Sequence, residues 1–211
     1  MSTTKKLFTN SLLFLFLLCV FSCEKRIESN HDEPNTIEKS ETKKISFEDL
    51  EILDTDSALF NGKIKRFFPL KDFEKYFGKP DSIVSVDTIG VCSFVFMGDN
   101  GYKNPNDKML YKNGSEFEMS DSEVAISKFR FNDNNYIKYN NIILNSTTTV
   151  DELSKLFPNA ISKIYILDVY KEGKLQVFDL REGDYPDSDG DHMKFFLRNG
   201  KLSFMYWWSP C

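Results

Sequence analysis

The sequence predicts an α+β fold built of two tandem repeats, each a short helix packed on an antiparallel β-meander, and three observations carry that expectation. From Ile45 onward Phe, Ile, Val and Tyr occur in short runs broken by Gly, Asn, Asp and Pro, the pattern of strands joined by turns. Two stretches read as helical, and each is too short to persist in water unless it lies on a sheet. Three segments also recur in the same order roughly 80 residues apart, the mark of an internal repeat.

Along the chain, residues 1–22 read as a secretory leader: Lys5 and Lys6, an apolar run from Leu7 to Phe21, then Ser22 before Cys23. A helix rising about 1.5 Å per residue over that run falls short of the roughly 30 Å hydrocarbon core, which favours cleavage over spanning. A small residue followed by cysteine is where a lipoprotein signal ends, so Cys23 is the expected lipid acceptor. The leader resembles lipoprotein signals of Bacteroidota, which implies a cell-envelope location in the outer membrane of a Gram-negative bacterium.

Loss of Lys5 and Lys6 leaves 25 basic against 32 acidic side chains, a net charge of −7 where the full chain has −5. That balance argues against nucleic acid and against electrostatic adhesion to anionic headgroups, and leaves covalent lipid as the membrane contact. Residues 23–44 read as the lipidated cysteine and a flexible tether, because they hold no aromatic residue and too little apolar surface to offset ordering.

The first module is expected over 45–131 and the second over 132–211. Phe60-Asn61-Gly62-Lys63-Ile64 is answered by Tyr139-Asn140-Asn141-Ile142-Ile143. Leu70 to Phe77 is answered by Val150 to Phe157, with Lys75 and Phe77 matching Lys155 and Phe157. Ile126 to Phe131 is echoed by Leu202 to Trp207.

The first helix starts at Pro69, places Leu70, Phe73 and Phe77 on one stripe, and has Gly78 where a left-handed cap is wanted. The second opens on a capping box, Thr149 with Glu152, turns Leu153, Leu156 and Phe157 inward, and is expected to stop at Pro158. Strands are expected at Ile83 to Val86, Val91 to Met97, Met109 to Met119, Val124 to Phe131, Ile161 to Tyr170, Leu175 to Leu180, Met193 to Leu197 and Leu202 to Trp208. Asn113-Gly114, Glu172-Gly173 and Asn199-Gly200 supply hairpin turns.

A short helix ending in Phe77-Gly78-Lys79-Pro80 and followed by a meander resembles the small lipoproteins of the β-barrel assembly machinery. It is also similar to tandem β-lactamase-inhibitor-like proteins. The second resemblance implies a duplicated module that binds partners with its concave sheet; the matching positions, Leu70, Phe73, Phe77, Gly78, Pro80, Val150, Leu153 and Phe157, are structural ones.

Of the remaining cysteines, Cys92 and Cys211 stay in the folded part, where an oxidising compartment permits a disulfide between them or two separate thiols. Asp187, Asp189 and Asp191 alternate around Gly190, the way oxygen ligands gather for calcium, although His192 and Arg198 stand where an EF-hand wants its Gly and its terminal acid. A solvated acidic loop is the alternative. Phe204, Tyr206 and Trp208 share one face of the last strand and Met205 and Trp207 the other, so Tyr206, Trp207 and Trp208 are candidates for a binding surface or for a covered core face. Asp56-Ser57-Ala58, Asp81-Ser82-Ile83 and Asp87-Thr88-Ile89 look like O-glycosylation sequons of Bacteroidota envelope proteins.

No Ser-His-Asp set, Cys-His pair or Gly-rich phosphate loop occurs, and His192 is the only histidine of the expected folded region. The expectation is therefore a non-enzymatic envelope protein without a cofactor that binds another envelope protein through its sheet. An immunity-type toxin inhibitor and a glycan-binding accessory lipoprotein are the alternatives.

Overall fold

Tight turns with left-handed backbones set the frame. Asn113-Gly114 has φ of 50° and 77°, and Asn199-Gly200 has 52° and 72°, the signs that let a two-residue turn match the twist of its strands. The computed structural model describes residues 49–89, 94–97, 104–183 and 191–209, all within one compact unit, Lys43–Cys211. The expected leader (1–22) and lipidated tether (23–44) lie outside the described residues.

In chain order the strands are β1 (Ile52–Leu53), β2 (Ala58–Phe60), β3 (Phe67–Pro69), β4 (Ser82–Ser85), β5 (Lys108–Lys112), β6 (Ser115–Ser120), β7 (Glu123–Arg130), β8 (Ile137–Tyr139), β9 (Ile142–Leu144), β10 (Tyr165–Val169), β11 (Gly173–Glu182), β12 (His192–Arg198) and β13 (Lys201–Trp208). Helix α1 (Phe73–Phe77) precedes β4, while α2 (Val150–Leu156) and α3 (Pro158–Ser162) precede β10. The chain is thus mostly β with a few short helices, as the α+β expectation has it.

Ten strands form one large sheet, in the order β1-β11-β12-β13-β7-β6-β5-β4, with β10 also beside β11 and β3 also beside β7. The run β4 to β7 is one meander and β10 to β13 another. They join where β7 pairs antiparallel with β13 at Phe204↔Arg130, Met205↔Phe129 and Tyr206↔Lys128. The sheet is mixed rather than purely antiparallel, because β1 pairs with β11 in parallel. Strands β2, β8 and β9 form a separate small sheet.

Corresponding hydrogen bonds hold both helix starts. Leu70 N–H donates to Ser122 O and Val150 N–H to Gly200 O, at 2.8 and 3.0 Å.

The helices and the small sheet cover one face of the large sheet. Phe117, Phe129, Phe178, Phe195 and Met205 point into a single buried cluster with Phe73, Phe77, Leu153 and Phe157 from the helical segments and Phe60, Ile137 and Leu144 from the small sheet. Rings meet at favourable distances: Phe77 and Phe117 at 4.7 Å, Phe60 and Phe129 at 4.9 Å, Phe73 and Phe117 at 5.0 Å.

Several expected elements change. Pro158 does not end the helical stretch but starts α3, since proline's missing N–H costs nothing at a first helical position. The strand expected from Ile161 therefore begins only at Tyr165. Leu70–Asp72 forms a 3-10 turn ahead of α1, and Gly78 caps that helix with φ of 78° as expected. Residues 94–97, expected to be strand, form a turn in which Met97 N–H donates to Phe94 O. The Thr149–Glu152 capping box is present in full.

Because Phe129 is fully buried where both meanders, the small sheet and α1 converge, Phe129→Ala is expected to cost about 3 to 5 kcal/mol. Urea denaturation measures it, and a loss under about 1 kcal/mol would place the site outside the load-carrying core.

Candidate functional site

A cleft of about 400 Å³ lies beside the end of β13. The turn at 54–56, Arg66 ahead of β3, Glu182 at the end of β11, His192 at the start of β12, and Trp207 and Trp208 all line it. Strand pairing explains the convergence, since His192 sits opposite Trp208 and Met193 opposite Trp207.

Its floor is a charged network. Glu182 accepts from Thr55 Oγ1 at 2.8 Å through one oxygen, and from Arg66 Nη1 at 2.5 Å and Trp207 Nε1 at 3.0 Å through the other. The Arg66 guanidinium also lies 4.3 Å from the centre of the Trp207 ring, a desolvated cation–π contact. Burial lowers the Arg66 pKa from its ordinary value, against the attraction of Glu182. With three donors on Glu182 and a cation on its indole, Trp207 is held rigidly and partly buried against the main core.

Beyond the cleft, on the sheet face away from the helices, pairing aligns a row of side chains: Asp179, Lys194, Tyr206, Lys128 and Glu116. Buried Asp179 accepts from Tyr165 Oη at 3.1 Å and from Lys194 Nζ at 3.1 Å, and His192 Nε2 lies 3.6 Å away. Burial and the neighbouring Asp179 hold the Tyr165 hydroxyl well above its usual pKa. Phe196 and Phe204 stack at 4.2 Å in this face, roofed by Lys128 and Arg130 at 4.9 and 5.0 Å from the Phe204 ring.

Over the first meander the same face is covered differently. Phe94 packs with Val86 and Met109 in a small buried cluster, and Val95 N–H donates to the Glu118 carboxylate. Burial pushes the Glu118 pKa up to about 7, while the Val95 N–H and Arg66 pull it down and Glu116 adds to the rise.

Several sequence candidates lie outside the described residues: Cys23, Cys92, Cys211, Asp187 and Asp189. Asp191 is described and lines the cleft. Among the described residues no group of three His, Cys, Asp or Glu side chains is arranged to hold a metal ion. No helix among them is long and apolar enough to cross a membrane.

The aromatic candidates divide. Trp207 faces the main core, Tyr206 the opposite face, and Trp208 is 36% exposed at the strand end with the His192 ring at 4.8 Å. The sequon hydroxyl residues Ser57, Ser82 and Thr88 are all exposed. Arg66, Glu182, Thr55, Glu118 and Asp179 were not singled out in the sequence, because lone charged residues in or beside strands carry no local pattern.

Two outcomes test this electrostatic reading. The native Glu118 carboxyl binds its proton more tightly than the unfolded one, so the native state holds more protons between about pH 4.5 and 7 and stability falls as pH rises through that window. Thermal melts across it are expected to lose on the order of 2 to 3 kcal/mol from this group, a loss that Glu118→Gln abolishes while keeping an acceptor for Val95. Glu182→Ala strands Arg66 in its partly buried position and is expected to cost about 2 to 3 kcal/mol in chemical denaturation; an unchanged midpoint would count against the network. The chain matches no protein-family model, and comparisons with curated proteins and with solved structures likewise return no match.

Proposed function

We propose that this chain is a lipid-anchored, non-enzymatic envelope protein that binds another envelope protein along its large sheet. Cys23 is its anchor in this reading, and its folded part is a tandem duplication of a helix-plus-meander module. The duplication is supported by the matched helix-start bonds to Ser122 and Gly200, by the paired turns Asn61-Gly62 and Asn140-Asn141, all at positive φ, and by a strand order that runs outward through each meander from the β7–β13 join.

The observation that carries the binding reading is the edge at β10. Five consecutive residues pair with β11 without a bulge, and among the described residues no strand pairs with the other side. Natural edges are guarded by lysine, proline, bulges or covering elements. Here Ile166 is 60% exposed, and Leu167 and Tyr170 are exposed as well. An extended segment of a partner can add to such an edge through main-chain hydrogen bonds. Asp168, exposed at mid-strand, favours a partner strand with Lys or Arg opposite it over a second copy of β10, which offers no basic residue within the strand.

Photo-crosslinking residues placed at 166 and 170 in the native lipoprotein are expected to trap one protein, while a residue at Lys138, exposed on the small sheet, traps none. That protein, purified, is expected to bind the unmodified chain and to lose about tenfold or more in affinity to Ile166→Lys. Equal trapping from all three positions, or undiminished binding of the variant, would overturn the assignment.

A further inference from the structure

We propose that the cleft beside Trp208 is a second, independent binding site, one that takes an uncharged oligosaccharide of about two sugar residues. Its volume of about 400 Å³ lies within the range of small-ligand sites, which run from roughly 300 to 1,000 Å³. Sugar recognition needs three things together: a rigid aromatic wall for the C–H face of a pyranose, planar hydrogen-bonding groups for its hydroxyls, and little motion in either.

The wall is present. Trp208 is 36% exposed at the cleft, and its ring is flanked by the His192 ring at 4.8 Å and by Lys194 Nζ at 5.1 Å. Next to it in sequence, Trp207 is clamped by Glu182 and Arg66, which fixes the strand end that carries Trp208.

The planar polar groups are present too. Asp54 and Asp56 expose their carboxylates at the cleft, and Asp54 is itself oriented by the Ser57 hydroxyl and the Asp56 N–H. Thr55 Oγ1 donates to Glu182 and keeps lone pairs to accept from a ligand hydroxyl.

Charge selects among sugars. Asp54, Asp56, Glu182 and Asp191 line the cleft, and among the described lining residues Arg66 alone is permanently cationic; Arg66 pairs with Glu182 and Lys65, at the rim, pairs with Asp56. A uronate or a phosphorylated sugar would be repelled by the exposed Asp54 carboxylate, whereas a neutral hydroxyl finds an acceptor in it. A purely apolar ligand would desolvate the exposed Asp54 carboxylate and offer it no hydrogen bond in return.

The test is a titration of tryptophan emission in the full mature chain with cellobiose, maltotriose, mannobiose and N,N′-diacetylchitobiose, and with digalacturonate as the anionic comparison. A saturable shift is expected with at least one neutral sugar below about 10 mM, and none with digalacturonate. Trp208→Ala is expected to weaken binding at least about tenfold while melting like the parent, and Trp208→Tyr to restore most of it. No saturable shift across the neutral series, equal binding by Trp208→Ala, or preference for digalacturonate would each overturn the site. Failure here is separable from failure of the edge reading, since Ile166→Lys is expected to leave sugar binding intact and Trp208→Ala to leave the crosslink at 166 intact.

Discussion

The pairing of β7 with β13 is the constraint on which the rest of the molecule depends. Three residue pairs, Phe204↔Arg130, Met205↔Phe129 and Tyr206↔Lys128, merge two meanders into one sheet and so create a single long apolar face. A face that carries Phe117, Phe129, Phe178 and Phe195 cannot be left in water. The short helices and the small β2-β8-β9 sheet exist to cover it. None of these covering elements is long enough to be stable alone; each gains its order from the aromatic rings beneath it. The capping box at Thr149 and the positive φ at Gly78 then fix where helix gives way to turn.

The opposite face is finished by different chemistry. Over the first meander a turn carrying Phe94 packs down and is tied by Val95 to Glu118, a carboxyl whose burial sets its titration near neutrality. Over the second, cations do the covering. Lys128 and Arg130 lie across Phe204, and Arg130 is in turn held by Glu172. Arg130 also passes so close to Gly114 that a Cβ there would come within 2.6 Å of its Nε, which joins the demand for a left-handed turn to a demand for space. Long basic side chains shield aromatic surface with their stems and keep their charge toward water, so this face stays polar at its surface and apolar beneath.

The charged groups near the strand ends follow from the same economy. Glu182 satisfies three donors from three separate segments, which ties the turn after β1, the approach to β3 and the end of β13 into one corner. The resulting cleft is rigid because its walls are already bonded to one another. The β10 edge is the contrary case, where among the described residues no strand pairs with the outer side and Ile166, Leu167 and Tyr170 are exposed.

Much of the local structure was legible in the sequence. Asn-Gly pairs gave the hairpins because few other residues accept positive φ, the Phe stripe of α1 and the Thr-x-x-Glu box of α2 gave the helices, and alternation gave the strands of the second meander. What failed did so for physical reasons. Pro158 is compatible both with stopping a helix and with starting one, and only the packing of Ala160 into the core decides for the second. The single sheet and the parallel addition of β1 depend on hydrogen bonds between residues far apart in the chain, which carry no local signal. The corner of Arg66, Glu182 and Trp207 is of the same kind: its members stand 116 and 25 residues apart and are unremarkable one by one. The sequence by itself determined the strand-rich character, the turns and the aromatic inventory, because those rest on periodicity and backbone sterics. Tertiary structure alone decided which aromatic faces are buried, which edge stays open and which charges meet, because those are properties of burial and distance that no stretch of chain possesses in isolation.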